Sequence, residues 1–369
     1  MRVYVCGECW LIQTADYVDE YTAFPDSYVY FSSTSSSWLE HAREYSSMIV
    51  KRLGLAQSSK VIEIASNDGY LLRNFNELGI PNFGVEPTKS TADAAEAVGV
   101  NTIRSFFNSV LARELADKGQ QADLLIGNNV YAHVPNINDF TMGISKILKH
   151  NGVVTLEFPH AVNLLKSNQF DTVYHEHFSY LSLLAVKKIF SEFGLRIFDV
   201  EHLETHGGSL RIYGCLDESD WSSTDRVEAV IQSEIETGMK SLQGFQPLQS
   251  NAQATKNQLL EFLINQSDAG HRVIGYGAAA KGNTLLNFAG VKTDLIKYVV
   301  DGAVAKQGKY LPGSHIPVLA PSKLDLVRGD HVIIFPWNIA NEIRDMLGKR
   351  SGDEVNLWVT IPNLRKFAS

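Results

Sequence analysis

Cysteine is scarce: three residues in a chain of 369, too few for a disulfide framework. One C-x-x-C pair, Cys6 and Cys9, is present and a second is missing. Structural zinc is normally held by two such knuckles, so Cys6 and Cys9 amount to half a metal site, and Cys215 lies far off in an expected strand. The pair stands almost at Met1, and a missing N-terminal segment is the simplest explanation. There is no basic run and the net charge is −8, which argues against a nucleic-acid partner. No apolar run approaches the ~20 residues that span a bilayer. A basic-then-apolar leader is lacking as well, so the cytoplasm is the expected location. What remains, 44% hydrophobic and 20% charged residues, is the composition of a soluble globular protein long enough for two domains.

Glycine is also sparse where a dinucleotide site would need it. Lys60 to Pro87 reads as strand, turn, helix and strand: Val61, Ile62 and Ile64, then Ser66-Asn67-Asp68-Gly69, then Tyr70, Leu71, Leu72 and Phe75 at helical spacing. A second strand, Asn82 to Val85, ends on Glu86. This is half of a nucleotide-binding α/β sheet, but G-x-G-x-x-G is reduced to Gly69, flanked by the acidic Glu63 and Asp68. Carboxylates repel a pyrophosphate and suit a ligand with ribose, amine and sulfonium groups. S-adenosylmethionine is such a ligand.

The sheet continues. Ser90 to Val98, Ser109 to Lys118 and Asp139 to Leu148 read as helices; Asn101 to Ile103, Asp123 to Ile126 and Gly152 to Phe158 read as the third, fourth and fifth strands. Asn128, Asn129 and His133 follow the fourth strand, beside the switch point where open α/β sheets bind ligands. After a helix from Leu181 to Phe193, Leu195 to Glu201 and Ser209 to Tyr213 flank Thr205-His206-Gly207-Gly208 as a hairpin. Five parallel strands closed by an antiparallel pair is the order of a class I methyltransferase.

Two polar stretches stand out. Tyr21 to Ser37, dense in tyrosine and hydroxyls, is a poor helix former and reads as a loop laid over a polar ligand, with Tyr28, Ser32, Ser33 and Thr34 facing it. Between the fifth strand and its helix, Tyr174-His175-Glu176-His177 concentrates groups that titrate or hydrogen-bond. Metal ligation, a structural role and general-base catalysis compete there, and an imidazole held by Glu176 suits the last.

After Tyr213 the composition shifts. Val227 to Leu242 reads as a polar helix, Gly244 to Ala254 as a linker, and a further helix runs to about Ile264. At Arg272 a new α/β unit opens, with Gly275-x-Gly277-x-x-Ala280 before a helix and Asp301 ending the next strand. That dinucleotide-like fingerprint makes an NAD-dependent sugar oxidoreductase the natural rival. Lys281 at the helix N-terminus can equally hold the diphosphate of a nucleotide-sugar.

SNDGYLL, GVEP, NNVYAHV, QFDTVYHEHFSYLSL, THGGSLRIY and GYGAAAKGNTLLN together resemble the sugar C-methyltransferases that act on nucleotide-linked 4-keto-deoxysugars. The resemblance implies an N-terminal zinc-binding lobe, a class I methyltransferase domain with a mostly parallel seven-stranded sheet, and a second Rossmann-like α/β domain that helps hold the nucleotide-sugar. On this chain those parts are expected at 1–56, 57–215 and 266–369, with a helical linker at 216–265. His177 is implied as the base that removes the proton beside the ketone, with Tyr174 and Glu176 holding the sugar and His133 and Tyr28 in the same pocket. Glu63, Ser66, Asn67, Asp68, Gly69, Glu86, Pro87, Asn128 and Asn129 are expected on the cofactor side. His175, His206, Arg211, Gly277, Lys281, Asn283 and Asp301 join the substrate set. Ala65 stands where these enzymes usually carry glycine, and the first zinc knuckle is absent. The expected reaction is methylation of carbon by way of an enolate. Methylation of a sugar oxygen or nitrogen stays open, because that distinction lies in ligand pose, and a binding module that kept the fold without turnover is a further rival.

Overall fold

The structure, a computed structural model, describes residues 1–15, 19–26, 30–327, 329–351 and 356–367. The chain divides into two units: residues 1–160 with 175–240, and residues 161–174 with 241–369. The expectation at Tyr28 falls outside the described residues.

In the first unit, Val3–Val5 (β1) and Ile12–Thr14 (β2) form an antiparallel ribbon. Val61–Ile64 (β3) is buried at all four residues, as a parallel strand covered on both faces must be. Asn82–Val85 (β4), Thr102–Ile103 (β5), Ala122–Asn128 (β6) and Leu148–Pro159 (β7) join it. Ser179–Tyr180 (β8) pairs with β2 instead. Leu195–Leu203 (β9) and Ser209–Leu216 (β10) complete the main sheet, whose order is β5-β4-β3-β6-β7-β10-β9, with β10 antiparallel to both its neighbours. This is the expected class I methyltransferase sheet. Helices cover both faces: Leu125, Phe140, Ile144 and Leu156 belong to one apolar cluster, and Tyr45, Ile49, Leu124 and Phe198 to another.

Local chemistry sets the helix ends. Ser36–Leu53 starts where the Ser35 side chain accepts from the Trp38 amide, and it stops at Gly54 in the left-handed region (φ 63°). Upstream, Ser32–Thr34 makes one 3₁₀ turn, so the hydroxyl-rich stretch is an ordered loop at these residues.

The second unit adds Val273–Tyr276 (β11), Val299–Val300 (β12), Val318–Leu319 (β13), His331–Ile334 (β14), Asn356–Val359 (β15) and Arg365–Lys366 (β16). Their order is β13-β12-β11-β14-β15-β16, parallel but for β16. The second Rossmann-like domain is therefore present. The stretch expected to be a linker from Gly244 to Ala254 differs: Pro247–Asp268 is one helix. Pro247 presets its first turn, and Ala252, Thr255, Leu259, Phe262 and Leu263 make a buried stripe at helical spacing. Asparagines and glutamines between them hid that stripe. The preceding helix ends at Glu236 rather than Leu242, because Gly238 takes φ 91°.

Candidate active site

After β3 the backbone enters the left-handed region three times within five residues: Ala65 (φ 54°), Asn67 (φ 50°) and Gly69 (φ 75°). Asparagine tolerates that region well, whereas alanine is strained there by about 1–2 kcal/mol. A Cβ at Gly69 would lie 2.9 Å from the Val100 side chain. Glu86, at the end of β4, clamps the turn. Its Oε2 accepts from the Asn67 amide at 3.0 Å, and its Oε1 accepts from the Thr88 amide at 2.9 Å and hydroxyl at 2.5 Å.

Buried acceptors without a hydrogen-bond partner collect along this edge. Glu63 Oε2, Ser66 Oγ and Asp68 Oδ1 lie at β3 and its turn, and Asn129 Oδ1 and His133 Nδ1 lie just past β6, the neighbouring strand. Burial first, then Glu86 and Asp68, push the Glu63 carboxyl well above its usual range. An unpaired buried polar group costs about 1–3 kcal/mol, so this edge is built for a ligand that donates hydrogen bonds. The carboxylates of Glu63 and Asp68 among them would repel a pyrophosphate. The set fits the ribose, amino and sulfonium groups of S-adenosylmethionine. Asn128, buried, and Pro87, half-buried, border the same edge.

His133 and His177 meet here, ring centroids 4.5 Å apart and edge to face at 89°. His177 is buried, and β8, which follows it, is anchored by β2 and by the Phe178 amide on the Ala132 carbonyl at 2.9 Å. Burial holds the His133 imidazole down at about 4; a hydrogen bond with the Glu176 backbone opposes this weakly, and the nearby His206 adds to it. Burial also raises the Glu176 carboxyl. His175 is exposed.

His206, itself left-handed (φ 55°), meets the Asn129 amide nitrogen at 3.2 Å. Arg211 is 4% exposed and directed at Glu157, a residue outside the expected site set. Fully buried on β7, Glu157 accepts from Arg211 at 3.0 Å, pairs with His41 at 2.9 Å and accepts from Thr205 at 2.8 Å. Burial alone would raise its carboxyl, but His41 and Arg211 outweigh that and hold it low. Its carbonyl also receives the Asn129 amide at 2.7 Å. Trp38 stacks on His41 and meets Tyr70 and His206. A charged residue inside the apolar run of β7 was the available signal, since a buried charge demands partners.

In the second unit, the Asp301 carboxylate accepts from the amides of Ala278 and Ala303, each at 2.7 Å, and so fastens the glycine-rich turn. A Cβ at Gly277 (φ 90°) would lie 2.4 Å from Pro336, which explains its glycine. Lys281 donates to Asn338 at 2.7 Å and lies over Trp337; burial brings its ammonium down to about 8, with Asp171 opposing. Asp171 accepts from the Trp337 indole at 2.8 Å, and burial pushes its carboxyl up to about 6. Asn283 Oδ1 is buried without a partner. Tyr174, half-buried, also belongs to this unit.

Cys6 and Cys9 form a tight N-terminal turn, with the Trp10 amide on the Cys6 carbonyl at 3.1 Å. The Cys9 and Glu8 amides draw the Cys6 thiol down, and burial raises that of Cys9. Among the described residues, no group of three or more His, Cys, Asp and Glu side chains could hold a metal. No described helix is long and apolar enough to cross a membrane.

Comparison with known proteins extends these findings. A family model for a methyltransferase domain matches residues 38–200, and one for a C-methyltransferase C-terminal domain matches 204–362. The C-methyltransferase NovU of Streptomyces niveus is 34% identical over 345 residues, which is 94% of this chain and 82% of that protein. A ubiquinone biosynthesis O-methyltransferase of Bartonella quintana is 27% identical over 99 residues, covering 27% of this chain and 40% of that one. Among solved structures, the magnesium protoporphyrin IX methyltransferase of Synechocystis with bound S-adenosylmethionine has a TM-score of 0.37 at 14% identity, over 53% of this chain and 88% of that one.

Proposed function

Because this chain belongs to the S-adenosylmethionine-dependent C-methyltransferases, we propose that it methylates a carbon next to the keto group of a nucleotide-linked 4-keto-deoxysugar, with His177 as the general base. One observation carries the reading: the buried His177 imidazole lies edge to face against His133, whose imidazole burial holds down at about 4. Removing a proton α to a ketone turns the base into a cation. A protonated neighbour at 4.5 Å would oppose that, whereas His133, held down at about 4, carries no charge at neutral pH.

The residues divide the work accordingly. His177 takes the α-proton as the C–H electron pair moves into the enolate, and burial keeps water from competing for it. Glu176, with Tyr174 before it in sequence, holds the sugar, and the unpaired Nδ1 of His133 accepts from a sugar hydroxyl. Glu86, Glu63, Asp68 and Asn129 hold the cofactor. S-adenosylmethionine, when bound, supplies the electrophilic methyl group. Transfer to the enolate carbon needs mainly alignment. In the second unit, Lys281, Asn283 and the Gly277 turn are proposed to take the nucleotide diphosphate. The proposed setting is the cytoplasm.

The test is incubation with a panel of nucleotide 4-ketosugars in deuterated water without S-adenosylmethionine, followed by NMR. Enzyme-dependent deuterium uptake beside the ketone, abolished in His177→Asn, is the expected result, and the labelled position identifies the methylated carbon. A folded protein that binds S-adenosylmethionine but exchanges none of the ketosugars defeats the enolate reading and directs attention to oxygen or nitrogen acceptors.

A further inference from the structure

Asn67 spends its polar atoms on the protein. Its amide donates to Glu86 Oε2 at 3.0 Å, its Oδ1 accepts from the Ser32 amide at 2.9 Å, and its Nδ2 donates to the Tyr30 carbonyl at 3.0 Å. Asp68 Oδ2 adds the Ser33 amide at 3.1 Å. A single left-handed residue thus touches the ribose-side carboxylate on one flank and the Tyr30–Thr34 segment on the other. Within that segment the remaining bonds are local: the Thr34 amide and hydroxyl both return to the Phe31 carbonyl.

We infer that Asn67 is a positioning residue that couples cofactor binding to docking of the Tyr30–Thr34 segment. The physical path is short. A ribose hydroxyl donating to Glu86 would add to the three bonds that already hold this carboxylate, and the carboxylate holds the Asn67 peptide in the left-handed region. With that peptide held, Oδ1 and Nδ2 meet Ser32 and Tyr30 together. Bound cofactor therefore orders a segment that the free enzyme holds less firmly, which favours cofactor binding before acceptor. The inference rests on S-adenosylmethionine as cofactor and is independent of which acceptor is methylated.

Hydrogen–deuterium exchange on the full chain, with and without S-adenosylhomocysteine, tests it, with calorimetry to verify that the ligand binds. In the wild type the ligand is expected to slow exchange of the Ser32 and Ser33 amides on the order of tenfold. Asn67→Gly keeps the left-handed backbone and deletes only the side-chain bonds. There the Ser32 amide, which loses its acceptor, should exchange on the order of tenfold faster, with no slowing by ligand that calorimetry still shows to bind. Asn67→Asp, which keeps the acceptor and loses the donor, should fall between, and it decides the matter if the glycine variant fails to fold. Wild-type amides indifferent to the ligand, or full ligand-induced slowing in either variant, would overturn the inference. Failure of the wild type to bind S-adenosylhomocysteine would instead strike at the cofactor assignment.

Discussion

His133 bears on the chemistry proposed for its neighbour through its own charge state. An imidazole ordinarily titrates near 6.5, and burial brings this one down to about 4. As the pH falls through that interval, the unfolded chain takes the proton before the folded one. The neutral ring thus favours the folded state fully above about 6.5, and that contribution is lost between about 6.5 and about 4. NMR of ring-labelled histidine should show the His133 signals, assigned by His133→Gln, unmoved from pH 8 down to about 5. A midpoint near 6.5 would mean that His177 faces a cation at neutral pH, contrary to the proposed role.

At the scale of elements, the helix Leu183–Glu192 is tied to the helix Asp225–Glu236 by one carboxylate. Glu234, fully buried, accepts from the amides of Leu183 at 2.6 Å and Leu184 at 2.8 Å, and pairs with His160 at 2.7 Å. It does from a distant element what the Ser182 hydroxyl does locally at the Ala185 amide. Glu234→Ala leaves two helix-start amides and an imidazole without their partner, and should cost about 2–4 kcal/mol. Urea unfolding measures this; a loss under about 1 kcal/mol would show that water replaces the carboxylate readily. Neither helix announces the pairing in sequence, because Glu234 sits among the glutamates and serines of a polar helix.

For the whole molecule, the second unit is discontinuous in sequence. The segment Ala161–Tyr174 lies in the middle of the first unit's chain but contributes Phe170 to the second unit's core, Asp171 to Trp337, and the Asn168 amide to Thr255 at 2.9 Å and to the Pro362 carbonyl at 2.8 Å. A fragment spanning 241–369 should therefore melt below the same fragment carrying 161–174 through a linker, with a deficit of about 3 kcal/mol for the lost aromatic and buried bonds. Equal thermal unfolding of the two would place the second core wholly within 241–369.

Much of this was legible in the residues. Val61 to Glu86 carries period, turn and terminal carboxylate in one short run, so two neighbouring parallel strands and the turn between them follow from local pattern. His177 is marked by its cluster of titratable neighbours, and His133 by its place just after the fourth strand. Other features are pairings between residues remote in the chain, and no local signal encodes distance. Glu157 with His41 and Arg211, Glu234 with the Leu183 helix, and Asn67 with Ser32 are of that kind. By itself the sequence determined which elements form and which chemistry clusters at one sheet edge, because hydrophobic periodicity and turn residues act over a few positions. Only the tertiary structure decided which buried charges are satisfied, which imidazoles burial pushes down and where Ala161–Tyr174 belongs, because burial and hydrogen-bond partners arise only once the chain has folded back on itself.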